Sequence, residues 1–135
     1  MKHKVLIVSA SYYKNVTNEL VNDVKKTLNK NKIQHKLINV PGVFEIPIVI
    51  AKNIKKFDGF IALGCVIKGE TPHFDFISKS SIDAIMNLSI KFKKPIGNGI
   101  LTCLNKKQAY FRSNSKGKKR KGKESAEAVI AILEI

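Results

Sequence analysis

A histidine follows a stretch of residues whose types suit the binding of an anion. The letters KGETPH at 68–73 come directly after a strongly apolar run. Thr71 is expected to be the N-cap of a following helix, with Pro72 at its first position and a sharp turn at Gly69. The free N–H groups and dipole of that helix would bind an anion and keep the His73 imidazole neutral near pH 7, able to exchange protons. A structural role for His73, hydrogen-bonded to the backbone, stays open.

Three other segments carry residue types that could bind a small polar molecule. Glu45 lies among apolar residues after a Pro-Gly turn, so its carboxylate needs donors from a ligand or the backbone, and an N-cap role is an equal alternative. Tyr12 and Tyr13 could stack on a flat ring or pack under a loop. Asn98 lies between two glycines. Arg112 suits a phosphate because guanidinium is bidentate, although a solvated surface role stays open in so basic a chain.

Alternating strand and helix patterns supply the scaffold for these segments. Apolar or alternating runs predict strands at 4–10, 34–40, 58–67 and 95–102. Helical spacing of apolar residues predicts helices at 16–30, 46–57, 73–93, 105–113 and 122–135. This order predicts an α/β fold, a flavodoxin-like three-layer sandwich with a four-stranded parallel sheet, as a single domain over residues 1–135. Ligands bind such sheets beyond the carboxyl ends of the strands, which selects the loops 10–15, 41–46, 65–73 and 97–104.

Composition narrows the class of protein. The 135 residues carry a formal net charge of +15, which suits either nucleic acid or small anions. The one dense basic run, at 116–123, has no interleaved aromatic residue to stack on bases, so nucleic-acid binding is disfavoured. Two distant cysteines, Cys65 and Cys103, give neither a disulfide framework nor a metal-ligand spacing and fit a reducing cytoplasm. The sequence contains no membrane-spanning run, and no P-loop or GxGxxG pattern indicates a nucleotide cofactor.

Four blocks of the sequence match the pattern of one family. They are VPGVFEIP at 40–47, ALGCVIKGETPHFDFI at 62–77, PIGNGILT at 95–102 and the helix with Gln108, Ala109 and Arg112. Together they resemble the 6,7-dimethyl-8-ribityllumazine synthases, over nearly the whole chain. Members of that family condense 5-amino-6-(D-ribitylamino)uracil with 3,4-dihydroxy-2-butanone 4-phosphate and release phosphate and water, without cofactor or metal. The resemblance implies that this chain is a transferase for that penultimate step of riboflavin biosynthesis.

The resemblance also assigns roles to individual residues. His73 matches the proton-transfer residue of the family. Glu70 and Thr71 match the loop that binds the phosphate of the butanone substrate, and Arg112 matches the phosphate-binding arginine. The residues that match contacts to the aminouracil substrate are Tyr12, Val43, Phe44, Glu45, Cys65, Val66, Ile67 and Asn98.

Several positions depart from the family pattern. Ser11 lies where many members carry Arg, and Tyr12 and Asn98 lie where many carry Phe, which would weaken stacking at Asn98. The basic run at 116–122 differs from the usual sequence of that loop, and within it Lys121 is matched to a late lysine of the family.

The resemblance further implies an assembly of identical chains. Family members form homopentamers with active sites between subunits, and some assemble into 60-subunit shells. The altered basic loop and the short N-terminal arm favour a pentamer here. In such an assembly, Arg112 and His73 would serve a site completed by Tyr12 and Glu45 of a neighbour. A functional link to riboflavin synthase is expected as well.

Two non-enzymatic interpretations stay open. A module that binds a flavin or a lumazine without turnover would keep the same loops. A nucleic-acid-binding protein would use the run at 116–123, with an affinity that falls steeply as salt rises.

Overall fold

Four parallel strands form the central sheet of the computed structural model, which describes residues 2–135. In chain order the strands are β1 (Lys4–Ala10), β2 (Gln34–Val40), β3 (Gly59–Ile67) and β4 (Ile96–Cys103), and they lie in the order β2-β1-β3-β4. The helices are α1 (Lys14–Lys30), α2 (Ile46–Lys52), α3 (His73–Phe92), α4 (Lys106–Ser113) and α5 (Lys121–Leu133), with a short 3-10 helix at Val43–Glu45. The predicted flavodoxin-like α/β fold with a four-stranded parallel sheet is confirmed.

Apolar clusters cover both faces of this sheet. On one face, Ile61 of β3 packs in a cluster with Val24 of α1 and Val129 of α5. On the other face, Phe60 of β3 packs in a cluster with residues of α2 and α3, among them Ile85. Eight of the nine residues of β3 are buried, as expected of a central strand that reads as a continuous apolar run. No helix within residues 2–135 is both long and apolar enough to cross a membrane.

Helix α2 is shorter than its apolar pattern predicted. It ends at Lys52, because the backbone N–H of Asn53 turns back to the carbonyl of Ile50 and its side-chain amide donates to the carbonyl of Val49, at 2.8 Å. Phe57, which was predicted to be helical, instead packs edge-to-face against Phe60, with ring centroids 6.0 Å apart. Burial of that ring in the core decides the conformation, against local helix propensity.

Helix α3 begins one residue later than its capping residues predicted. Pro72 occupies the N-cap position, so the prediction of Thr71 as N-cap was wrong. The Thr71 hydroxyl still accepts a hydrogen bond from the backbone N–H of His73, at 3.4 Å. Gly69 does not have a positive φ, so the chain turns here without the left-handed backbone that favours glycine. The helix ends at Phe92, and the C-cap residue Lys93 has a left-handed backbone with a φ of 55°.

The glycines of β4 let helix α5 lie directly on the sheet. A Cβ atom at Gly97 would come within 2.5 Å of the carbonyl oxygen of Ser125 and 2.9 Å of Cγ2 of Val129. The first of these atoms belongs to the backbone of α5 and cannot turn aside as the tip of a side chain can. The close approach of α5 to β4 therefore requires glycine at this position.

Substitution of Gly97 by Ala should lower the free energy of unfolding by about 1–3 kcal/mol, because the added methyl group overpacks the contact with α5. Gly69→Ala is the matched control, since a Cβ there meets nothing within 4 Å. The control should change the free energy by less than about 0.5 kcal/mol. Urea unfolding followed by circular dichroism measures both variants, and equal effects would contradict the proximity of α5 and β4.

Candidate active site

A cavity of about 420 Å³ opens at the carboxyl ends of the central strands, where the alternation of strands and helices predicted a binding site. Three loops and the first turns of α3 surround it. Eight of the residues predicted to bind or react line its walls: Tyr12, Val43, Phe44, Glu45, Cys65, Val66, Ile67 and His73. The structure therefore brings these eight residues together at one cavity.

Two exposed aromatic rings border the cavity from different loops. The side chain of Tyr12, after β1, is 76% exposed, and that of Phe44, after β2, is 62% exposed. Tyr13 packs under the loop, the alternative to stacking on a ligand, because its ring lies against the core. Burial raises the pKa of its hydroxyl. The two tyrosine rings meet edge-to-face, with centroids 4.9 Å apart. This contact orients the ring of Tyr12 and leaves it open to a flat ligand.

Glu45 presents a carboxylate to the cavity from the short helix before α2. Glu45 occupies the N-cap position of α2, but its side chain makes no capping hydrogen bond, so the N-cap role considered for it is not observed. Its Oε1 atom lies 3.1 Å from the place of a Cβ at Gly42, so this carboxylate lies close over the turn. A half-buried carboxylate without a protein donor is suited to accept hydrogen bonds from a ligand.

His73 is exposed at the start of α3, on the wall of the cavity. The partly buried structural role left open for His73 is not observed, because its side chain is exposed. Glu70 and Thr71 lie exposed in the loop that precedes His73 and are not part of the cavity wall. An accessible imidazole beside a ligand-sized space can give and take protons.

The thiol of Cys65 contributes bulk rather than reactivity to the cavity. Burial, reinforced by the neighbouring Cys103, raises the pKa of Cys65 to about 12. The thiol therefore stays protonated near neutral pH and does not supply a thiolate nucleophile. Cys65, Val66 and Ile67 form the apolar floor at the end of β3.

Arg112 lies in a separate cleft of about 290 Å³ beside β4, which shares no lining residue with the cavity. Its guanidinium Nη1 is 3.9 Å from the Sγ atom of Cys103, which places the guanidinium beside the carboxyl end of β4. Lys119 and Lys121 line the same cleft, together with the carboxylate of Glu124. Three cationic side chains against one carboxylate favour an anion at this point. The sequence had singled out Arg112 and Lys121 but had missed Lys119.

Asn98 lies on β4, the strand at one edge of the sheet, and is exposed. Its Oδ1 atom accepts a hydrogen bond from the backbone N–H of Ile100, at 3.0 Å. It lines neither the cavity nor the cleft.

The single chain thus separates residues that the sequence had grouped. Arg112 and His73 were expected to act together, facing Tyr12 and Glu45 of a neighbour. In the structure, His73 lines the same cavity as Tyr12 and Glu45, and Arg112 does not. No group of three or more His, Cys, Asp or Glu side chains that could hold a metal ion occurs within residues 2–135.

Comparisons with known proteins agree on one family. The sequence profile of the family described as 6,7-dimethyl-8-ribityllumazine synthase matches residues 2–135. The protein of that name from Bartonella henselae is 42% identical over 136 residues, covering 98% of this chain and 87% of the relative. Its counterpart from Bartonella bacilliformis is 41% identical over 133 residues, with coverage of 96% and 87%. The Agrobacterium fabrum protein is 39% identical over 141 residues, with coverage of 99% and 95%. This chain belongs to the 6,7-dimethyl-8-ribityllumazine synthase family.

Proposed function

We propose that this chain condenses 5-amino-6-(D-ribitylamino)uracil with 3,4-dihydroxy-2-butanone 4-phosphate to give 6,7-dimethyl-8-ribityllumazine, the penultimate step of riboflavin biosynthesis. The observation that carries the proposal is one cavity that joins an open aromatic ring, a carboxylate without a protein donor and an accessible imidazole, on Tyr12, Glu45 and His73. Family membership supports the same reaction. In this proposal the protein acts in the cytoplasm, where the free thiols of Cys65 and Cys103 would stay reduced.

The cavity suits the aminouracil substrate in shape and polarity. The pyrimidine ring stacks on Tyr12, against the apolar floor formed by Val66 and Ile67. The ribityl chain lies along the short helix before α2, where its hydroxyl groups donate hydrogen bonds to the Glu45 carboxylate. Because that carboxylate has no capping partner, the ligand supplies donors that the protein does not.

His73 moves the protons that the condensation requires. An imine forms between the substrate amine and the ketone, phosphate is eliminated, and the second carbonyl closes the ring with loss of water. Each step adds or removes a proton on nitrogen or oxygen, which a positioned imidazole accelerates by about 10²–10⁴-fold. Holding the two reactants side by side supplies much of the remaining acceleration. The protonated thiol of Cys65 takes no covalent part.

The phosphate of the second substrate is bound by Glu70 and Thr71 of the loop before α3 and by Arg112, whose guanidinium matches a phosphate in charge and geometry. Because Arg112 lines the cleft and not the cavity of the same chain, we infer that the cleft of one chain completes the cavity of the next. Asn98 on the exposed edge strand would reach the same neighbour.

A homo-oligomer, with a pentamer as its proposed form, would also cover exposed apolar surface on α3. Phe76, Met86 and Ile90 are large apolar side chains of this helix that lie exposed in the single chain. Large apolar side chains exposed along one helix are candidates for an interaction site. A functional link to riboflavin synthase belongs to the same proposal.

The purified protein, mixed with both substrates, should form the lumazine product, whose absorbance and fluorescence can be followed continuously. Omission of either substrate is the control for background. A protein that binds the product but yields none at micromolar concentration would instead be a binding module without turnover.

His73→Gln should lower kcat by about 100-fold or more, because the amide cannot exchange protons. Its affinity for the lumazine product should change by less than about threefold, since stacking and the Glu45 contacts persist. His35→Gln is the matched control and should keep the wild-type rate, because His35 lies outside the cavity. Steady-state kinetics and fluorescence titration measure both quantities. Equal rates for the two variants would exclude His73 as the proton-transfer group.

A further inference from the structure

A buried ion pair joins α1 to the segment that precedes α5. The carboxylate of Asp23 is fully buried, whereas 32% of the Arg120 side chain is exposed. The guanidinium is bidentate, with Nη2 2.6 Å from Oδ1 and Nε 3.2 Å from Oδ2 of the carboxylate. These hydrogen bonds raise the pKa of Arg120. The pair links residues that are 97 positions apart in the chain.

Stability alone gives a weak reason for a carboxylate at this position. Asp23 lies on the buried side of α1, directly before Val24 and three residues after Leu20, both of them fully buried. An ion pair with a buried carboxylate is often no more stabilising than apolar residues of similar volume, because the carboxylate loses its hydration. What the pair provides is a fixed geometry, since a bidentate contact specifies both the distance and the orientation of Arg120.

In the sequence, Arg120 lies between two lysines that line the cleft around Arg112. Lys119 and Lys121, one on each side of Arg120, both line the cleft that contains Arg112. The next residue, Gly122, lies so close to α1 that a Cβ there would be 2.7 Å from the carbonyl oxygen of Leu20. Arg120 therefore anchors the backbone from which the two flexible lysine side chains extend.

We propose that Asp23 is a positioning residue for anion binding: through Arg120, it holds Lys119 and Lys121 in the cleft where the phosphate of the butanone substrate binds. The identity of that substrate rests on the proposed function, whereas binding of inorganic phosphate to the cleft does not. Neither Asp23 nor Arg120 touches the anion in this arrangement, and the cleft itself does not contain them.

The variants Asp23→Asn and Glu19→Gln separate positioning from simple charge. Each removes one negative charge from α1, and the two positions are one helical turn apart. Glu19 contacts the same segment only through the hydroxyl of Ser115, at 3.4 Å. A purely electrostatic effect would make both variants bind phosphate slightly more tightly, because the local potential becomes more positive. Loss of positioning instead predicts weaker phosphate binding by Asp23→Asn, with no such loss in Glu19→Gln.

Titration of the full chain with inorganic phosphate, followed by amide chemical shifts or 31P line width, gives the direct readout. We expect Asp23→Asn to weaken phosphate binding about tenfold and Glu19→Gln to leave it within about twofold. Hydrogen exchange of residues 116–121 should accelerate in Asp23→Asn alone. Wild-type or tighter phosphate binding by a folded Asp23→Asn protein would overturn the proposal.

Arg120→Lys provides a second test if Asp23→Asn does not fold. It keeps the charge opposite Asp23 but loses the bidentate contact, at a side chain that is partly exposed. We expect its phosphate affinity to fall about threefold. An unchanged affinity would overturn the proposal independently of the first variant.

Kinetics distinguish this inference from the proposed reaction. In an active enzyme, Asp23→Asn should raise KM for the butanone phosphate about tenfold, while kcat and KM for the aminouracil change less than about threefold. A merely structural defect would lower the amount of active protein and so reduce kcat instead. If the wild-type chain bound phosphate as described but formed no lumazine, the proposed reaction would fail and the positioning role would stand.

Discussion

Burial of β3 on both faces is the constraint on which the rest of the structure depends. Residues 59–63 of this strand pair with β1 on one side and residues 60–67 pair with β4 on the other, and apolar clusters cover both of its faces. Because neighbours enclose this strand on all sides, the chain leaves the sheet at the carboxyl end of β3, after Ile67. The chain must then return over the sheet through α3 to reach a parallel neighbour. This return of the chain places Glu70, Thr71 and His73 at the carboxyl end of β3.

The same constraint places the other loops beside it. Because β1 and β2 run parallel to β3, their carboxyl ends lie at the same edge of the sheet, and Tyr12 and Glu45 follow them. The cavity is therefore a consequence of strand direction, and its chemistry depends on what the loops carry. The cavity brings together an exposed imidazole, a half-buried carboxylate without a capping hydrogen bond and an open aromatic ring, each of which can contact a ligand.

The sequence predicted the strands to within one residue at each end, from apolar or alternating runs bounded by turn residues. The bounds of β1 and β2 agree with prediction, and β4 differs by one residue at each end. The predicted end of α2 failed where a tertiary contact overrides local preference, because Phe57 leaves the helix to pack in the core. The start of α3 differs from prediction by one residue, with Pro72 in place of Thr71 as the N-cap. The loops around the cavity were predictable because ligands bind beyond the carboxyl ends of parallel strands, whereas most of its wall residues were named from the family resemblance.

The cleft around Arg112 was harder to predict from the sequence than the cavity. Asp23 falls in an apolar stripe of α1, and nothing in the local pattern indicates that its partner is Arg120, far along the chain. Lys119 lies within a basic run whose members look alike in sequence, and only the fold distinguishes the lysines that face the cleft. The separation of Arg112 from His73 was equally hidden, since spacing along a chain does not report which surfaces face a second copy.

The proposed division of the active site between neighbouring chains has a direct test in mixed assemblies. A chain that carries His73→Gln and a chain that carries Arg112→Ala are each expected to be nearly inactive alone. Co-expressed with different tags and purified as mixed oligomers, they should regain activity at roughly one site in four, where an intact cavity meets an intact cleft. Mixed oligomers with no more activity than the two variants measured separately would contradict the division of the site between subunits.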